Sequence, residues 1–241
     1  MAPKTTQRAR GRARTARRRS PRRRRRGARR RASLGRARGL LWIGTAVLAV
    51  AVPSLLASCA TPPRQPDDLC SIFFEKRSWY RAAKRARERW GVPESVQLAI
   101  IHQESSFRAR ARPPRSRILW IFPGPRPSSA YGYGQVIDAT WDRYRRDTGR
   151  AGADRDDFAD VADFIGWYAV KIERRAGVPR NDAYRLYLAY HEGPRGYVLG
   201  NHRSKAWLDR VARKVRRRAN RYHQQYMGCR ERLQSPWWWP F

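Results

Sequence analysis

The residue whose type and position could do chemistry is Glu104, in the stretch "AIIHQESSF". At helical spacing Ile100, Glu104 and Phe107 fall at i, i+4 and i+7, which puts the carboxyl in line with apolar neighbours. A carboxylate buried there must find a partner or keep its proton, and a carboxyl still protonated near neutral pH is a general acid. Other candidates carry less. His102 lies two positions away on a different side of the helix, and the chain has no H-E-x-x-H pattern or cysteine pair, so no metal and no cofactor is expected. Glu192 is a rival second acid, or else a solvent-facing residue at a helix end.

The elements that must hold Glu104 read as helices, and strand-like alternation is nearly absent, so the fold class is all-α. Trp79, Ala82, Ala83, Ala86 and Trp90 form one stripe, ended by Gly91 and restarted by Pro93 into the helix of Glu104. Phe158, Val161, Ile165, Tyr168 and Ile172 form another, ended by Gly177 and Pro179. The stretch "NDAYRLYLAYHEGP" supplies a capping Asn181 and a stop at Gly193 and Pro194. Trp207, Val211, Val215, Tyr222 and Tyr226 then line a long basic helix after Ser204. Between Phe107 and Ala130, "RARARPPRSRILWIFPGPRPSS" is too rich in proline for a helix. It predicts a long irregular loop beside the cleft, with "ILWIF" a short hairpin arm or a packed plug.

The chain of 241 residues carries a formal charge of +35, which by itself suggests a polyanion such as nucleic acid. About eighteen of the basic residues precede Gly39, however, and no Asp or Glu does. An apolar run from Leu40 to Leu56 and small residues before Cys59 follow, the layout of an export signal. The Arg-rich run therefore orients a signal, and no nucleic-acid partner is expected. A start near Leu34 would leave an ordinary short basic end. Leu56, Ala57, Ser58 and Cys59 resemble a bacterial lipobox, which implies lipidation of Cys59; an uncleaved membrane anchor is the alternative. Ala60 after the cysteine implies sorting to the outer membrane, facing the periplasm. There an oxidising environment would permit a bond between Cys70 and Cys229, the alternative being two buried thiols. The expected organisation is residues 1–58 as basic segment and signal, 59–68 as a polar tether, 69–230 as one domain, and 231–241 as an aromatic tail ending "WWWPF".

Three motifs in this order resemble one known family: "QESSF" around Glu104, "AYGYGQV" from Ala130 to Val136, and "LAYHEG" from Leu188 to Gly193. They are similar to the signatures of the SLT-type lytic transglycosylases, the goose-lysozyme-like enzymes that cleave peptidoglycan. The resemblance implies a lysozyme-like helical domain, Glu104 as the single catalytic acid, glycan strands as substrate and a 1,6-anhydro product. Tyr190 could then hold the carboxyl with its phenol or belong to the core. Gln135 could meet an N-acetyl group or sugar hydroxyl, or merely cap a helix. Gly132 and Gly134 would let the backbone approach the sugar. Ser105 would bond a backbone or sugar group and not serve as nucleophile. Two departures stand out: His191 replaces the expected Asn and Glu192 follows it, and the loop before "AYGYGQ" is long. A hydrolytic muramidase of the same fold and a non-catalytic wall-binding lipoprotein are the alternatives, and no protein partner is legible.

Overall fold

The computed structural model describes residues 61–115, 117–118 and 122–235, with the side chains of the hairpin residues 117–118 and 122–123 excepted. The expected export signal, Cys59 and residues 236–241 of the expected tail lie outside these residues. Among the described residues, seven helices carry the fold: α1 (Leu69–Glu75), α2 (Arg77–Trp90), α3 (Glu94–Ser105), α4 (Asp138–Thr148), α5 (Phe158–Ala176), α6 (Ala183–Val198) and α7 (Ala206–Gln234). None of them is long and apolar enough to cross a membrane. The expected all-α class holds. Among the described residues the one ladder is a two-residue antiparallel pair, β1 (Arg117–Ile118) with β2 (Phe122–Pro123), inside the proline-rich loop.

The core grows around α3, which packs against α7, while α5 packs against α2 and α6. Leu98, Ala99, Ile100 and Ile101 have no exposed surface, so α3 is apolar on nearly all sides. Gly91, Gly149 and Gly177 end α2, α4 and α5 in the left-handed conformation that glycine adopts without a Cβ penalty. Gly166 lets α5 approach α2. A Cβ there would sit 2.4 Å from Cδ1 of Trp90, whose indole N–H donates to Asp163 at 2.8 Å.

Four expectations need correction. The cap of α6 is Asp182, whose carboxylate accepts from the Arg185 N–H, and not Asn181. Gly193 and Pro194 kink this helix instead of stopping it: Gly193 turns out at φ 74°, and Pro194, with no N–H to satisfy, restarts the helix. On α7 the buried stripe is Leu208, Ala212, Val215, Ala219, Tyr222 and Tyr226, and Trp207 lies off it, 48% exposed. Helix α7 also runs on to Gln234, with Leu233 buried, so the domain extends past residue 230. The described part of the tether is not a free linker. Tyr222 donates to the Pro66 carbonyl, and Arg218 and Arg221 pair with Asp67 at 3.2 and 2.8 Å. Next to it, Cys70 on α1 and Cys229 on α7 form a disulfide, with Cα atoms 6.1 Å apart.

Candidate active site

Glu104 occupies the last turn of α3, one turn after the fully buried Ile100; Phe107 is also fully buried, but α3 ends at Ser105 and Phe107 follows in a left-handed turn, so it is not on the helix stripe expected from the spacing. The residue keeps some surface, yet its Oε1 is enclosed and has no hydrogen-bond partner. Burial pushes the carboxyl pKa up from 4.5 to about 7, against the opposing hydrogen bond of the Tyr187 phenol. Asp163 shows what a structural carboxylate looks like in this fold: Trp90, Tyr144, Arg89 and Arg150 all donate to it or pair with it. Among the described residues no cation pairs with Glu104, and its burial favours the neutral, protonated form.

The backbone around this acid is tightly constrained. Ser106 and Phe107 both have positive φ, 50° and 59°, a costly conformation for residues with side chains. The Phe107 ring offsets that cost by packing between Trp79 and His102, at 5.7 and 5.3 Å. A second turn, closed by the bridge between Tyr131 and Val136, brings Gln135 to the cleft at φ 48°. Its amide nitrogen donates to the carbonyls of Ala111 and Gly132, both at 2.9 Å. With both N–H groups spent on backbone acceptors, the amide oxygen is the group left for a ligand. Close packing within the protein already requires the glycines of this turn. A Cβ on Gly132 would lie 1.9 Å from the Arg155 carbonyl oxygen, and one on Gly134 would lie 3.0 Å from the Tyr190 hydroxyl.

The phenols divide their work differently from the expectation. Tyr190 donates to the Gly134 carbonyl at 2.8 Å, so it fastens the glycine turn to α6 and does not hold the carboxyl. Tyr187, three residues earlier on the same face of α6, is the phenol whose nearness to Glu104 opposes the rise of the carboxyl pKa. Tyr187 is also part of the core, 4% exposed, and its three-residue spacing from Tyr190 is the signal that the sequence carries for it. Ser105 is buried and donates to the Ile101 carbonyl at 3.1 Å, which uses its hydroxyl on the backbone of its own helix. Glu192 is neither a free acid nor a solvent-facing residue. Burial alone would raise its pKa, but the bond from Lys205 and the His191 contact outweigh this and lower it. His102 is held well below the ordinary range, at about 4, by burial and by Arg218. Among the described residues no three His, Cys, Asp or Glu side chains stand together as a metal site.

These groups surround a cleft of about 400 Å³ with Glu104 in its wall. Phe164 and Tyr168 from α5 line it with Tyr190, whose ring meets theirs edge-on at 6.3 and 5.6 Å. Val136, Ile137, Thr140, His191, Glu192 and Gly193 also line it. A cleft that combines aromatic faces, hydrogen-bonding side chains and a carboxyl of raised pKa can bind a chain of sugar rings and protonate an oxygen between them. In comparisons with known proteins, residues 47–229 match the family model described as Transglycosylase SLT domain. No curated protein and no solved structure matches the chain.

Proposed function

The chain belongs to the Transglycosylase SLT domain family, and from that premise we propose that it is a peptidoglycan lytic transglycosylase working through Glu104 alone. It cleaves the β-1,4 bond between N-acetylmuramic acid and N-acetylglucosamine. Glu104 gives its proton to the glycosidic oxygen as the bond to the muramic C1 breaks. The carbonyl oxygen of the muramic 2-acetamido group attacks C1 and holds the developing positive charge. The Glu104 carboxylate then takes the proton of the C6 hydroxyl while O6 attacks C1 and expels the acetamido oxygen. The product is a 1,6-anhydro sugar, no water is consumed, and Glu104 ends protonated as it began.

The observation that carries this reading is the enclosed, unpartnered Oε1 of Glu104 at the cleft, with a pKa of about 7. A group that must be acid and then base works best when its pKa lies near the working pH. A two-carboxylate hydrolase needs a second free carboxylate, to attack or to activate water. Glu192 lies in the same cleft, but both its oxygens accept from the Lys205 ammonium, at 2.7 and 2.9 Å. The Gln135 amide oxygen is suited to accept from the N–H of an acetamido group, which would orient that group for attack.

The cellular setting follows from the sequence. The chain is exported, lipidated at Cys59 and held at the outer membrane facing the periplasm. Removing the basic leader leaves a charge of about +17, which suits a wall polymer carrying stem-peptide carboxylates. The test is Glu104→Gln in the full chain. The expected result is loss of lysis of purified wall with binding and fold retained. Lysis that persists in this variant contradicts the assignment of the acid, and wild-type protein that binds wall without cutting it supports a non-catalytic binder.

A further inference from the structure

The departures from the family motif, His191 and Glu192, stand at the rim of the cleft, and the structure gives them a use. Both oxygens of Glu192 accept from Lys205, and the Glu192 side chain is only 5% exposed. Lys205 is the residue just before α7, so this ion pair clamps the start of α7 to the last turn of α6 before its kink. The Lys205 side chain is 37% exposed, so solvent screens part of the attraction, and the two short contacts serve to fix the geometry. The turn between the two helices is tightened by bonds from Asn201 N–H to the Gly196 carbonyl and from Lys205 N–H to the His202 carbonyl.

The clamp fixes Trp207. Its ring meets His191 edge-on at 5.1 Å, and His191 lines the cleft. Trp207 contributes nothing to the buried stripe of α7, where Leu208 is fully enclosed, and it leaves half of a large indole in water. Ile137, which also lines the cleft, is similarly exposed, 45%. We propose that His191 and Trp207 form an outer subsite of this cleft that takes a pyranose ring of the glycan strand beyond those held at Glu104. The apolar C–H face of the sugar lies on the indole, its hydroxyls stay in water, and the imidazole offers a hydrogen-bonding edge.

The inference rests on the reading of the cleft as glycan-cleaving, and the experiment keeps the two apart. The full chain and its Trp207→Ala and Trp207→Phe variants are compared on peptide-free glycan strands of eight or more sugars and on the shortest oligosaccharide that is cleaved. Loss of one stacked ring lowers the kcat/KM advantage of long strands over short by about tenfold in Trp207→Ala, while Trp207→Phe retains most of it. The loss appears in KM and not in kcat. Retention of long strands by Glu104→Gln and by Glu104→Gln/Trp207→Ala is measured without turnover, and the second variant should elute earlier. An unchanged length preference, with equal retention of the two inactive variants, overturns the subsite. If the wild type cleaves no strand at all, the function fails, and the retention comparison still decides the subsite.

Discussion

At the scale of single residues the account turns on one proton. Glu104 is raised from 4.5 to about 7, so between those values the folded chain holds a proton that the unfolded chain has released. The stability this contributes is complete below pH 4.5 and is lost as pH rises through 7. The difference is on the order of 3 kcal/mol. Glu104→Gln carries no such dependence, so it should melt with the wild type at pH 4 and above it at pH 8, as scanning calorimetry would show. The same titration governs rate. Wild-type kcat/KM should fall about tenfold per pH unit above pH 7, because the acid form is required. Tyr187→Phe removes the bond that stabilises the carboxylate. Its alkaline limb should therefore shift to higher pH, and a shift to lower pH would contradict the role assigned to this phenol.

At the scale of elements, glycines and caps decide how closely the helices approach. Gly166→Ala forces a methyl into the Trp90 ring at the contact of α5 with α2, and should cost about 2 kcal/mol or more in a denaturant melt. The sequence showed why most of these elements exist. Apolar stripes at helical spacing ended at Gly91 and Gly177, and the chain does turn there. It was less informative where one residue type has two uses. Gly193 and Pro194 read as a stop, yet the same pair makes a kink, because a chain that turns out at glycine can restart at proline. Tyr187 and Tyr190 look alike in sequence. Only the approach of Gly134 from a distant turn determines which phenol is taken up by a backbone carbonyl and which meets the acid. The partner of Glu192 was hidden for the same reason: Lys205 lies across a turn whose path no local pattern fixes.

At the scale of the whole molecule, the disulfide closes a loop of 159 residues and ties α1 to the end of α7. Cys70→Ser/Cys229→Ser should lose about 2 to 5 kcal/mol of stability, measured by thermal melting of the oxidised chain and the variant. The docked segment from Thr61 to Asp68 holds the start of the domain against the rest of the helices. The most direct test of the reaction is digestion of purified wall in water enriched in oxygen-18, with the released muropeptides weighed by mass spectrometry. Transfer within the sugar predicts 1,6-anhydro ends, one water lighter than reducing ends and free of the heavy isotope. Reducing ends that carry oxygen-18 would contradict the account and make the enzyme a hydrolase.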